Sequence, residues 1–142
     1  MRITDILSTK GSKVVHIAPE APVAELVSLL KQHNLGAVVV SPDGRTLVGI
    51  ASERDVIRRL VTGTGFLEGP VSSIMTSDVH TCSPSDTVES LMTVMTDRRI
   101  RHVPVVNDRQ ELTGIVSIGD LVKSQISQLQ FERDQLQGYV SG

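Results

Sequence analysis

The sequence predicts an α+β fold: two β-α-β-β-α repeats packed as a pseudo-twofold pair, followed by a long C-terminal helix. Three observations predict it. The chain of 142 residues aligns with itself when displaced by 65 positions. Both aligned halves carry helix-period and strand-period apolar patterns in the same order. Beyond Asp120 an apolar spacing of alternating fours and threes runs to the end.

The internal alignment is ungapped from Pro19 to Asp55. Pro19 falls on Pro84, Val23 on Val88, Leu26 on Leu91, Val38 on Val103, Val40 on Val105 and Asp43 on Asp108. Leu47, Gly49, Ile50, Ser52 and Asp55 fall on Leu112, Gly114, Ile115, Ser117 and Asp120. These are eleven identities in 37 positions, against about two or three expected from average residue usage. Upstream the register shifts by three, so that Ile6-Leu7 matches Ile74-Met75.

The elements follow in order. Val14 to Ile17 and Val79 to Cys82 read as short strands, each broken by a proline, Pro19 or Pro84. A half-buried helix follows, with Val23, Leu26, Val27 and Leu30 apolar in the first copy and Val88, Leu91, Met92 and Met95 in the second. Ser85 or Asp86 is the expected cap of the second. Ala37 to Val40 and Leu47 to Ala51 flank Ser41-Pro42-Asp43-Gly44, a turn sequence. His102 to Val106 and Leu112 to Val116 flank Asn107-Asp108-Arg109. A second helix begins at Ser52 or Ser117. One such unit buries too little on its own, so the copies are expected to pack face to face. The expected boundaries are 1–63 for the first repeat, 64–70 for a linker, 71–127 for the second repeat and 128–142 for a C-terminal helical extension.

Bulk properties narrow the function. Net charge is −2 and the pI about 6.1. Phe66, Phe131 and Tyr139 are the only aromatics. A nucleic-acid partner needs a basic face or stacking platforms, so none is expected. Cys82 is the single cysteine, which excludes an internal disulfide and points to the reducing cytoplasm. The start is charged rather than signal-like, and the longest apolar run is near Ala37 to Val40, so no membrane association is expected. No nucleophile-base pair or Gly-rich phosphate loop is visible, which argues against an enzyme. His16, His33, His80 and His102 show no metal-ligand spacing, so no metal site is expected.

Each repeat ends in Gly, two apolar residues, then Ser-x-x-Asp: Gly49-Ile50-Ala51-Ser52-Glu53-Arg54-Asp55 and Gly114-Ile115-Val116-Ser117-Ile118-Gly119-Asp120. Arg101-His102-Val103-Pro104-Val105 supplies an apolar-proline strand, with Val39 in the first copy where Pro104 stands in the second. This series resembles the CBS domain, named after cystathionine β-synthase, which occurs in tandem pairs called Bateman modules. The resemblance runs from about residue 3 to 127 and extends to small stand-alone bacterial CBS-pair proteins, some with a Lys-Gly such as Lys10-Gly11. It implies an adenosine-containing ligand (AMP, ADP, ATP, NAD(H) or S-adenosylmethionine) in clefts between the repeats, with no catalytic cofactor. It also implies dimerisation into a flat disk and regulation of a partner protein, which the sequence does not identify. A structural dimerisation or adaptor module without ligand is the alternative.

The chemistry of Ser-x-x-Asp fits such a ligand. A helix N-terminus offers unpaired N–H groups to phosphate, and an Asp one turn inside can accept both hydroxyls of a ribose. Plain helix capping uses the same residues. Adenine is expected near Thr81, Cys82, Val103 and Pro104. The second copy is the stronger candidate, because Arg98, Arg99, Arg101 and His102 cluster at its strand; of these, Arg98 reads as a solvated charge. The candidate ligand residues are Ser117, Asp120, Thr81, Cys82, Arg101, His102, Val103 and Pro104, then Ser52, Arg54 and Asp55 of the first copy, with Lys13 and His16. Lys10 is a further phosphate candidate, while Arg58 and Arg59 read as surface charges. Cys82 also reads as a small buried hydrophobe.

Val122, Ile126, Leu129, Arg133, Leu136 and Val140 form the heptad seam, interrupted by Arg133. Leu121 and Phe131 add apolar surface outside it. A homodimer using this helix is expected; folding back onto its own domain is the alternative.

Overall fold

The computed structural model describes residues 1–141. The first series comprises α1 (Ile3–Lys10), β1 (His16–Ile17), α2 (Val23–Gln32), β2 (Ala37–Val40), β3 (Gly49–Ser52) and α3 (Glu53–Leu60). Two short 3-10 turns, Gly65–Glu68 and Val71–Ser73, lead to α4 (Val88–Arg98), β4 (His102–Val106), β5 (Leu112–Ser117) and α5 (Ile118–Ser141). The expected mixture of helix and sheet, with a long final helix, is present.

In the first sheet β1 runs parallel to β2, and β2 pairs antiparallel with β3, Val39 opposite Ile50. In the second, β4 pairs antiparallel with β5, Pro104 opposite Ile115. The strand expected over Val79 to Cys82 is reduced to one parallel bridge, Cys82 to Val105. The cause lies just upstream, where Thr76 exchanges backbone hydrogen bonds with Ile50 of the other sheet, 2.8 and 3.0 Å long. The chain is leaving the first sheet there and reaches β4 only at Cys82, whose N–H donates to Pro104 O and whose carbonyl accepts from Val106 N. The expected cap of α4 also moves by one or two residues. Thr87 accepts the hydrogen bond from Ser90 N, while Asp86 is engaged by Ser83 N.

Each repeat has its own apolar core. Val23, Leu26, Val38, Val40 and Ala51 are fully buried in the first, and Val88, Leu91, Val103, Val105 and Val116 in the second. Burying each Val or Leu contributes about 1.5–3 kcal/mol. The helix period and the strand pattern therefore meet in one interior per copy.

The lead segments extend these cores. Ile3 and Ile6 of α1 lie in the second core, not the first, and Val71 and Ile74 lie in the first. Three backbone bonds hold each arm, and the two sets correspond. Ile3 N, Thr4 N and Val88 N donate to Asp86 O, Pro84 O and Met1 O. Val71 N, Ser72 N and Val23 N donate to Ala21 O, Pro19 O and Gly69 O. The glycine of each repeat ending is where its arm crosses. A Cβ on Gly49 would stand 2.6 Å from Met75 Sδ, and one on Gly114 would stand 2.7 Å from Leu7 Cδ2. Close approach, rather than an unusual φ, therefore explains this glycine. The hairpin tips also meet: Leu112 N donates to Arg45 O, and Thr46 pairs with Glu111.

Leu121, which lies outside the heptad seam, is fully buried in the second core. The seam residues Val122, Ile126, Leu129, Leu136 and Val140 are exposed, and every residue from Leu129 to Val140 lies in solvent. The far end of α5 therefore does not fold back onto the body of this chain. No helix is long and apolar enough to cross a membrane, among the described residues.

Candidate functional site

A cleft of about 640 Å3 opens between the two repeats. Its first wall is the β3–α3 junction, which places Ile50, Ser52, Glu53, Arg54, Asp55 and Arg58. The crossing segment contributes Thr76, Asp78, Val79 and His80. The opposite wall is the end of α4 and the start of β4, carrying Thr96, Arg99, Ile100, Arg101 and His102. Met95 and Ile118 complete an apolar base with Ile50, Val79 and Ile100.

The local geometry follows from the sequence. Ser52 is the N-cap of α3, and its side chain accepts from Asp55 N at 3.3 Å. Asp55 Oδ2 accepts from Ser52 N at 2.8 Å and from Ser52 Oγ at 3.0 Å. This reciprocal box satisfies two donors at the helix start. Both bonds fall on Oδ2; among the described residues, Oδ1 of Asp55 has no hydrogen-bond partner. The capping bonds therefore leave one oxygen of this carboxylate unengaged.

Across the cleft, Arg99 sits in the left-handed region, with φ 54° and ψ 42°. Its equivalent in the first copy is Asn34, at φ 53°. Asn tolerates that conformation far better than a long side chain does. Beside it, the half-buried His102 ring lies against Gly36, where a Cβ would stand 3.1 Å from His102 Cε1. Burial pushes the His102 pKa below its ordinary value, and the charges of Lys10 and Arg101 add to this. The carboxylates of Asp120 and Glu53 oppose the shift without overcoming it, so neutral imidazole is favoured.

Of the residues singled out from sequence, Ser52, Arg54, Asp55, Arg101 and His102 share this cleft. Thr81, Cys82, Val103, Pro104, Ser117, Asp120, Lys13 and His16 do not line it. Cys82 and Val103 belong to the second core, and Pro104 is buried in β4. Their apolar character serves the interior, and the apolar groups that line the cleft are instead Ile50, Val79, Ile100 and Ile118, with Met95. Burial, with the Asp86 charge adding to it, pushes the Cys82 thiol up to about 12, so it is an un-ionised core group. Thr81 adjoins Cys82 outside the cleft. Lys13 and His16 are exposed, with His16 lying under Gly44.

Ser117 and Asp120 form their own cap at α5. Ser117 N donates to Asp120 Oδ2 at 2.8 Å, and Asp120 N donates to Ser117 Oγ at 3.1 Å. Lys10 Nζ meets the same Oδ2 at 2.7 Å and donates to Ile115 O at 2.9 Å. The cations attributed to the second copy thus face the cap of the first, because the repeats clasp across the pseudo-twofold. Arg58, Arg99 and the stretch from Thr76 to His80 also line the cleft. The three-residue register shift upstream was the signal for that crossing stretch. Among the described residues, no cluster of His, Cys, Asp and Glu is arranged to hold a metal ion.

Doubled repeats, exchanged arms and an inter-repeat cleft define a two-domain clasp built from one duplicated unit. The family model "CBS domain" matches residues 3–62 and 71–127, and the chain belongs to this family as a pair of CBS domains. The CBS domain-containing protein YhcV of Bacillus subtilis is 32% identical over 125 residues, covering 88% of each chain. The crystal structure of a CBS-domain containing protein from Agrobacterium tumefaciens is 40% identical, with a TM-score of 0.81. That match covers 87% of this chain and 98% of the other. A CBS domain protein from Pyrobaculum aerophilum, solved in complex with AMP, is 30% identical with a TM-score of 0.76. It covers 84% of this chain and 89% of its own.

Proposed function

We propose that this CBS pair is a regulatory module without catalytic activity that binds an adenosine-containing nucleotide, AMP, ADP, ATP or NAD(H), between its repeats. The observation that carries the reading is one cleft holding Asp55 at a helix N-terminus on one wall and Arg99, Arg101 and His102 on the other. Its size falls within the roughly 300–1,000 Å3 of small-molecule sites. Adenine packs on the apolar base, Asp55 Oδ1 accepts from the ribose, and the phosphate meets the α3 N-terminus and the arginines. The AMP complex of the Pyrobaculum relative supports the same ligand class.

Regulation follows from the location. A ligand touching both repeats changes their relative geometry only insofar as it binds one arrangement better than another. The exposed seam of α5 supports a homodimer, and a regulated partner protein in the cytoplasm would read the change. Isothermal titration with AMP, ADP, ATP and NADH tests the proposal. Saturable binding that is lost when Asp55 and Arg101 are both replaced supports it. Absence of binding by all four assigns the pair instead to structural dimerisation. Light scattering of the full chain tests the dimer.

A further inference from the structure

We infer that the cleft selects ligands carrying two or more linked phosphates, such as an adenosine di- or triphosphate or a dinucleotide, over monophosphates and cationic adenosine compounds. The inference rests on the adenosine reading above and narrows it. Its basis is the convergence of Arg54, Arg58, Arg99 and Arg101 on one cavity. Among the described residues, no hydrogen bond or salt bridge engages any of these four guanidinium groups. By contrast Arg59, beside Arg58, donates to Ser73 O and lies outside the cleft.

Stoichiometry makes the argument. A guanidinium pairs best with two phosphate oxygens at once. A terminal phosphate has three free oxygens, so it cannot satisfy four such groups together. A second phosphate supplies the remaining acceptors. Arg54 and Arg58 are one turn apart on the same face of α3, about 6 Å along its axis. They therefore extend the cationic surface away from the N-terminus, where a single phosphate would rest. Glu53, Asp55 and Asp78 also line the cleft, so its formal charge sums to only +1. Oδ2 of Asp55 is held by its cap and Glu53 lies near His102, so the four guanidinium groups outnumber the cleft carboxylates that could pair with them.

Arg99 provides the independent observation. The left-handed residue at this position is Asn34 in the first copy, lining a smaller pocket within its own repeat, and Arg99 in the second, lining the cleft between the repeats. A long side chain in that conformation has a backbone cost that Asn or Gly would reduce. Its side chain is exposed and without a hydrogen-bond or ion-pair partner among the described residues, so the fold gains nothing visible from it. The cleft gains a fourth cation.

The test titrates the full chain with adenosine, AMP, ADP, ATP, S-adenosylmethionine and inorganic tripolyphosphate, for wild type, Arg58→Gln and Arg99→Asn. Affinity is expected to rise at least tenfold from AMP to ATP. Each variant is expected to lose at least threefold in ATP affinity while changing AMP less than twofold. The Asn substitution suits the backbone at position 99, so thermal stability should hold or rise and misfolding is not a confounder. AMP or S-adenosylmethionine binding as tightly as ATP overturns the inference and leaves the adenosine reading intact. Tripolyphosphate binding alone, with no nucleoside preference, overturns the adenosine reading and keeps the phosphate clamp. Silence from every compound overturns both.

Discussion

The two Ser-x-x-Asp motifs share their spacing and their backbone capping bonds, yet they face different surroundings. At the first, Arg54 lies between Ser52 and Asp55, and a cleft separates them from the arginines of the other repeat. At the second, Gly119 holds the place of Arg54, and Lys10 is bonded directly to Asp120. The shared part is therefore what the fold requires: two satisfied N–H groups where a strand turns into a helix. The differing part is what chemistry can use. In a duplicated protein, the copy-specific residues across from a common motif tell more about function than the motif itself.

The largest expected effect concerns the arms that lock the two halves. Gly49→Ala would drive a Cβ to 2.6 Å from Met75 Sδ and 2.9 Å from Thr76 O. The second of these is backbone, tied to Ile50, and cannot swing aside. Gly114→Ala meets only the side chain of Leu7, which can change rotamer. Overpacking costs about 1–3 kcal/mol. Gly49→Ala should fall at the upper end of that range in urea denaturation, and Gly114→Ala at the lower end. Equal losses would mean that the two crossings are mechanically equivalent despite their different contacts.

Ligand binding gives the next contrast. Asp55→Asn keeps an oxygen for capping but removes the charge proposed to accept from ribose. It should weaken ATP affinity about tenfold, or about 1.4 kcal/mol, as expected for a hydrogen bond to a charged group. Asp120→Asn should change ATP affinity by less than about twofold, which is under about 0.4 kcal/mol, because Asp120 lies outside the open cleft. Calorimetry on both variants decides the matter. A tenfold loss from Asp120→Asn with none from Asp55→Asn would reverse the assignment of the two sites.

Much of the fold was readable because its signals are local. The spacing of Val23, Leu26 and Leu30 marks a buried helix face, Ser41-Pro42-Asp43-Gly44 marks a turn, and Ser52 marks a cap. The destination of the arms was not readable in this way. Nothing in the pattern of Ile3 and Ile6 says which core receives them; that depends on how two finished halves meet. The candidate site shows the same division. Ser52, Arg54 and Asp55 announce themselves by spacing. Their pairing with Arg99 and Arg101 depends on the sense of the clasp, which placed second-copy cations opposite a first-copy cap. Cys82, Val103 and Pro104 look equally suited to a base or to a core, and alternation along β4 with burial of both its faces decided for the core.

The smallest expected effect tests the closed motif directly. The Lys10–Asp120 pair is partly exposed, at 35% and 27% of the side chains, so solvent screens it. Lys10→Ala should cost about 0.5 kcal/mol at neutral pH, in the range of surface ion pairs. The pH dependence carries the diagnosis. Burial alone would raise the Asp120 carboxyl, but hydrogen bonds from Lys10 and Ser117 and the Lys10 charge outweigh it, leaving the pKa below its ordinary value of 3.8. A carboxylate depressed in the folded state stabilises above its unfolded pKa and loses that contribution as pH falls through the folded one. The gap between wild type and Lys10→Ala should therefore be full at pH 7 and shrink below about pH 4. A gap that stays constant into strong acid would mean that Lys10 acts through its bond to Ile115 O and its alkyl packing. The second motif would then be covered by α1 rather than neutralised by it.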